Sequence, residues 1–135
     1  MKYTSGSIGR VLVAKVEHGD DLLLEIKRLV EKEQIRTALL FMLGAVKQAS
    51  LVVGPRECTV PPEPVWRDFG DGREILGMGT IFCDGQEPVL HVHAAFGRGD
   101  DALVGCLREN TETYLVAEVV ILEMVGLEAS RGMDP

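Results

Sequence analysis

One stretch of this 135-residue chain carries a clean helical period, and the sequence on either side of it is dominated by strand-like runs. Leu22, Ile26, Leu29 and Val30 recur at three- and four-residue spacing through Asp20–Gln34, with Glu25, Lys27, Arg28, Glu31 and Lys32 between them. That spacing predicts an amphipathic helix with one apolar stripe and a solvated charged face. The break Glu17-His18-Gly19-Asp20-Asp21 opens it. Asp20 is the expected cap for the free backbone N–H groups, and Asp21 suits the positive end of the helix dipole. A single early helix must bury its stripe against something else, and the strand-like runs supply a sheet.

Ile8 to Val16 is β-branched and largely apolar, a strand interrupted by Arg10 and Lys15 on opposite faces. Thr37 to Val53 is apolar but broken at Gly44-Ala45 and Lys47-Gln48, which predicts two strands divided by a turn. Gly54 to Gly72 holds Pro55, Pro61, Pro62 and Pro64 and the only tryptophan, Trp66. It reads as a long surface loop pinned by Trp66 and Phe69. Arg73 to Cys83 is a strand whose glycines permit a bulge, and Asp84-Gly85 turns it back as a hairpin. Gly97 to Asp101 is a further loop, and Thr113 to Val125 is the most β-rich part of the chain. The polar end from Glu128 to Pro135 is expected to fray. The expected architecture is α+β: one domain over residues 1–135, a mostly antiparallel sheet of roughly six to eight strands packed with one main helix.

The return strand of the hairpin, Pro88 to Gly97, carries two of the three histidines. Strand side chains alternate, so His91 and His93 share one face while Leu90, Val92, Ala94 and Phe96 share the apolar other. The histidines are either half of a metal site or a polar strand face. Zinc takes three protein ligands plus water when catalytic and four when structural. Cys106, Cys83, His18, Glu118 and Glu123 are the candidates for a further ligand. Cys106 follows the histidine strand by one loop in a glycine-containing segment, and a thiolate with two imidazoles suits zinc. Such an ion would polarise a carbonyl or activate water, with Glu118 as acid or base and Arg10 binding a carboxylate.

Fourteen basic against twenty-one acidic residues give a formal charge of −7, which disfavours broad attraction to nucleic acid or an anionic membrane. Cys58, Cys83 and Cys106 are odd in number and form no CxxC pair. The start is polar, without a signal peptide, and no apolar run approaches the ~20 residues of a membrane span. A reducing cytoplasm is the expected location. Phosphate-loop, dinucleotide and nucleophile-elbow patterns are missing from the glycine and serine contexts.

In their order and spacing these pieces resemble the PPC domain, the module shared by plants and prokaryotes. The resemblance spans Ile8 to Met124. It rests on Arg10, Gly19-Asp20-Asp21-Leu22, Gly44-Ala45, Gly72 to Leu76, Gly79-Thr80-Ile81, His91-Val92-His93 and Glu118-Val119-Val120. Near Val104-Gly105-Cys106-Leu107 the family pattern is usually Gly-Gly-His-Leu, so Cys106 stands where many relatives have a third histidine of a metal site. Plant relatives carry a Gly-Arg-Phe-Glu-Ile-Leu segment linked to partner binding. This chain keeps Gly72, Arg73, Glu74, Ile75 and Leu76 without the Phe. The resemblance implies a homotrimer, in keeping with strands apolar on both faces such as Leu115 to Leu122. At fold level it is also similar to acetolactate decarboxylase, a zinc enzyme, and fold alone does not fix function. Plant relatives bind DNA through separate AT-hooks, which this chain lacks. The functions in play are a trimeric regulatory or DNA-associated interaction module with a His91/His93/Cys106 metal site, a small zinc-dependent enzyme, and a plain trimerisation scaffold.

Overall fold

Asp21, one residue later than expected, is the cap of the helix. Its carboxylate accepts from the Leu24 backbone N–H at 3.1 Å and from the Thr111 hydroxyl at 3.0 Å, while that hydroxyl accepts from Leu23 N–H. The helix start is thereby tied to the strand that carries Thr111. The computed structural model of the protein describes residues 1–132. In chain order it contains β1 (Ser7–Glu17), α1 (Leu22–Lys32), β2 (Thr37–Pro55), β3 (Pro64–Phe69), β4 (Arg73–Asp84), β5 (Glu87–Arg98) and β6 (Asp101–Val125). The fold is α+β, a mostly antiparallel sheet with one helix, as the periodicities predict. Leu22, Ile26 and Val30 of α1 are fully buried, and the helix lies against β5 and β6.

Two strands differ from expectation, for one physical reason. Thr37 to Val53 is not two strands divided by a turn but part of a continuous β2 of 19 residues. Gly44, at φ 136°, bends it: a methyl group there would run into the Val116 carbonyl. The register with β6 shifts between Gly44 and Leu51, so the glycine bulges the strand where a turn was expected. Part of the proline-rich loop is also a strand. β3 pairs with the far half of β2, Trp66 opposite Val52 and Phe69 opposite Ala49. Pro64 opens that strand and leaves its central residues free to pair, a position where a sheet tolerates proline. Phe69 packs on Phe96 at 5.0 Å between ring centroids, so the anchor predicted for Phe69 is real and joins the core. Trp66 stays half exposed.

β2 and β6 are each long enough to serve two neighbours. The near half of β2 lies between β4 and the far half of β6, and its far half lies between β3 and the near half of β6. The neighbour sequence β6–β5–β4–β2 therefore returns to β6, closing a barrel-like ring with β1 and β3 attached at its margins. Inside it pack Leu40, Met42, Ile75, Ile81, Val92, Phe96, Val119 and Ile121.

The outward side chains follow from register. Val13, Val120, Phe41, Met78, His93, Cys106, Val52 and Trp66 are successive cross-strand partners from β1 around to β3. The neighbouring row runs Glu118, Leu43, Leu76, Ala95, Val104. Val13 is 77% exposed and Leu76 69%, so the two rows form a broad apolar outer face. At the polar end, Ser130 bridges Cys83 and Arg131 N–H donates to the Cys83 carbonyl at 2.9 Å. The segment expected to fray from Glu128 is thus docked on β4 at Ser130–Arg131, and 133–135 lie outside the described residues. Among the described residues no helix is long and apolar enough to cross a membrane.

Candidate metal centre

The two-residue turn at Gly99-Asp100 sets the register of β5 against β6, and that register puts His93 directly opposite Cys106. Alternation adds His91 on the same face of β5. Gly105 lets β6 approach β2 so closely that a methyl group would meet the Val52 carbonyl, which holds Cys106 tight against the sheet. His91 Nε2 and His93 Nε2 stand 3.2 Å apart, and the donor atoms of His91, His93 and Cys106 all lie within 4.8 Å of one another. Nitrogens at zinc distance in a tetrahedral arrangement are about 3.3 Å apart, and nitrogen and sulfur about 3.6 Å. The two imidazoles are already spaced for one ion, and the sulfur would close in by roughly an ångström at most.

His91 fits a metal in its protonation as well as its spacing. Partial burial holds the His91 imidazole below the usual histidine range, and the positive charges of Arg131, His93 and Arg108 push the same way. A neutral imidazole is the form that ligates. The donor set of two nitrogens and one thiolate leaves a fourth position open, as in zinc sites that bind water or a ligand. Among the described residues this is the one group of three such side chains arranged to hold an ion.

The other candidates lie elsewhere. Cys83 is buried against the docked end. His18 Nδ1 accepts from Leu115 N–H at 3.0 Å, and its ring meets Tyr114 edge-on. Glu118 lines a separate groove with Val13, Lys15, His18 and Leu115. It stands twelve positions after Cys106 on β6 and three strands across the sheet from β5, through Leu43 and Leu76 to Ala95. Arg10 is held on both sides: Nε and Nη2 donate to the Glu123 carboxylate at 3.1 and 2.8 Å, and Nη1 donates to Glu33 at 3.1 Å. The chain does not bring Arg10 or Glu118 to the cluster.

Gly72 to Leu76 forms the start of β4, with alternate fates. Gly72, at φ 76°, makes the turn. Arg73 lies inward, its side chain 9% exposed, paired with Asp71 and Asp101 and stacked 5.1 Å over the Phe69 ring. The Asp71 carboxyl is held below its ordinary value by its hydrogen bonds to Arg73. Ile75 enters the core, so the segment offers only Glu74 and Leu76 to a partner.

Two site residues escape a search for ligands. Arg108 lines a cavity of about 460 Å³ together with His91, His93 and Cys106. Arg131 reaches Thr80 Oγ1 at 3.2 Å, and Thr80 is the cross-strand partner of His91. Strand alternation could have found the first, because Arg108 stands two residues after Cys106. Nothing local announces the second.

A closed antiparallel barrel with one capping helix and a His-His-Cys cluster on its outer face defines a small α+β protein with a candidate metal site. The chain belongs to the Plants and Prokaryotes Conserved (PCC) domain family, whose model matches residues 3–125. It is similar to a plant- and prokaryote-conserved protein of Pyrococcus horikoshii at 25% identity, TM-score 0.85, over 99% of this chain and 92% of that one. A metal-containing protein of Archaeoglobus fulgidus shares 24% identity, TM-score 0.86, over 99% and 93%. A candidate DNA-binding protein of Bacteroides thetaiotaomicron shares 19% identity, TM-score 0.80, over 96% and 91%. The last two likenesses are of fold. A comparison with curated proteins gives no match.

Proposed function

We propose that the chain is a single-domain, homotrimeric interaction module that carries one zinc-type metal centre per copy at His91, His93 and Cys106. The observation that carries this reading is the cluster itself: two imidazoles and a cysteine, with all donor atoms within 4.8 Å of one another, meet on one face of the sheet. The assembly half is supported by the apolar outer rows, since a face with Val13, Leu43, Leu76 and Val104 exposed gains by burial against another copy. His93 and Cys106 belong to one of those rows, so the metal centre borders the face through which copies would meet. The Archaeoglobus relative described as metal-containing supports the metal, and the Bacteroides relative supports a DNA-associated role. A charge of −7 favours reaching DNA through a partner, and Glu74 and Leu76 are the exposed residues of the segment assigned to partners.

Elemental analysis of untagged protein tests the centre. About one metal per chain is expected, falling to background in His91→Ala; a content unchanged by that substitution overturns the reading. Light scattering should give three times the 14.7 kDa chain mass. Gel shifts at low salt, where phosphate contacts are strongest, should show no binding of bare DNA by the isolated protein.

The cavity beside the cluster favours a second reading, a small zinc-dependent enzyme. In it the bound ion would supply Lewis-acid chemistry at the open position. The sequence offers Glu118 and Arg10 for acid–base and carboxylate-binding roles, whereas Arg108 is the cation that lines the cavity.

A further inference from the structure

The walls of the cavity beside the cluster have an unusual charge. The protein carries twenty-one acidic residues, yet among the described residues none of them lines this space. What lines it is two imidazoles, a thiol, one guanidinium and an apolar wall of Val52, Val53, Pro55, Pro62 and Pro64. Among the described residues, Arg108 has no carboxylate within ion-pair distance, whereas most other arginines of the chain do. Arg10 pairs with Glu33 and Glu123, Arg28 with Glu25, Arg56 with Glu63, Arg73 with Asp71 and Asp101, and Arg98 with Asp71. Arg131 adds a second positive charge near His91, and its Nε is buried with no partner among the described residues. A pocket lined by a guanidinium without an ion-pair partner, and by no carboxylate, among the described residues is complementary to an anion.

We propose that this cavity binds a small organic carboxylate. Its head pairs with the Arg108 guanidinium, whose planar fork matches a carboxylate with two parallel hydrogen bonds. Its hydrocarbon body lies on the valine and proline wall. About 460 Å³ is within the range of pockets that enclose small molecules. The apolar wall is what selects an organic acid over an inorganic anion, because phosphate would leave that wall facing water and its own oxygens without donors. A metal ion at the cluster would strengthen the attraction, since it adds positive charge at the same mouth. The proposal rests on the preceding reading only for that reinforcement; Arg108 and the wall are present without the ion.

Isothermal titration of metal-analysed protein with isovalerate tests it, with acetate and inorganic phosphate as separate titrants. Saturable binding of one isovalerate per chain is expected, at least tenfold weaker for acetate, which has the head without the body, and for phosphate. Arg108→Gln should weaken isovalerate at least tenfold at unchanged metal content. Isovalerate that fails to saturate overturns the proposal, as does binding of equal strength in Arg108→Gln, or phosphate binding as tightly as isovalerate. The same titration on protein stripped of metal separates the two readings. Arg108-dependent binding there upholds the carboxylate site even if native protein proves to hold no metal.

Discussion

Two polar clusters on this protein are built from similar materials and reach opposite ends. Around Arg10, every charge is answered: Glu123 takes two of its nitrogens and Glu33 a third, joining β1, β6 and the end of α1. Around His91, no charge is answered: the two imidazoles share one hydrogen bond at 3.2 Å, a thiol stands beside them, and Arg108 has no carboxylate within ion-pair distance among the described residues. A cluster that satisfies itself has nothing left for a ligand and serves the fold. One that does not satisfy itself, on a face held rigid from beneath, is free to bind. In the sequence Arg10 and the histidines read as parts of one site, and the difference in partners is what separates them.

The largest effect that could break this contrast is on metal content. His93→Ala should take bound metal from about one per chain to background, while the metal-free protein melts where the parent does, because the lost ring contacts little of the core. Metal retained in that variant would remove the distinction between the clusters. Gly105→Ala probes the backbone beneath: the added methyl group meets the Val52 carbonyl, and an overpacked site of this kind loses about 1–3 kcal/mol. Its melting temperature should fall and metal should be lost with it, as Cys106 is pushed from the histidines. Full metal content would show that the cluster does not depend on that close approach.

The self-satisfied cluster should respond to pH instead. The hydrogen bond from Arg10 holds the Glu123 carboxyl below its ordinary value. The unfolded chain therefore takes up its proton first as pH falls. The stabilisation is present above the ordinary carboxylate value and is lost as pH drops through the folded one. Arg10→Ala should flatten the acid limb of the melting temperature between about pH 6 and pH 3, with little change in metal content; an unaltered limb would mean that the pair contributes nothing. The smallest effect belongs to Arg56 and Glu63, a pair closing the loop before β3 with both side chains 66% exposed. Arg56→Ala should stay within about 0.5 kcal/mol of the parent by denaturant titration.

Much of this fold can be read locally. The stripe Leu22, Ile26, Val30 forms its helix because its period is helical, and the Asp84-Gly85 turn makes its hairpin because glycine accepts the positive φ there. The inward row Val92, Ala94 and Phe96 is buried as alternation requires. What misled was punctuation. Gly44 bends β2 where a turn is expected, and a six-residue strand lies within the proline-rich stretch. Local signals mark where a chain departs from ideal geometry, and a bulge and a turn depart from it in similar residues. The proximity of Cys106 to His93 was closer to hand: once Gly99-Asp100 is taken as a two-residue hairpin turn, the register comes from counting outward from it.

By itself, then, the sequence determined the α+β class, the family, and the face of β5 on which His91 and His93 stand, because periodicity and spacing are properties of neighbours in the chain. The family resemblance already pointed to Cys106 as their partner; only the tertiary structure decided that Cys83, His18, Glu118 and Glu123 stand apart from the cluster. It decided too that Arg10 belongs to an ion pair and Arg108 to a cavity. Those outcomes depend on which strands lie side by side and on which charges find a partner. Both are settled by the closing of the barrel, where β2 and β6 each bend to serve two neighbours at once.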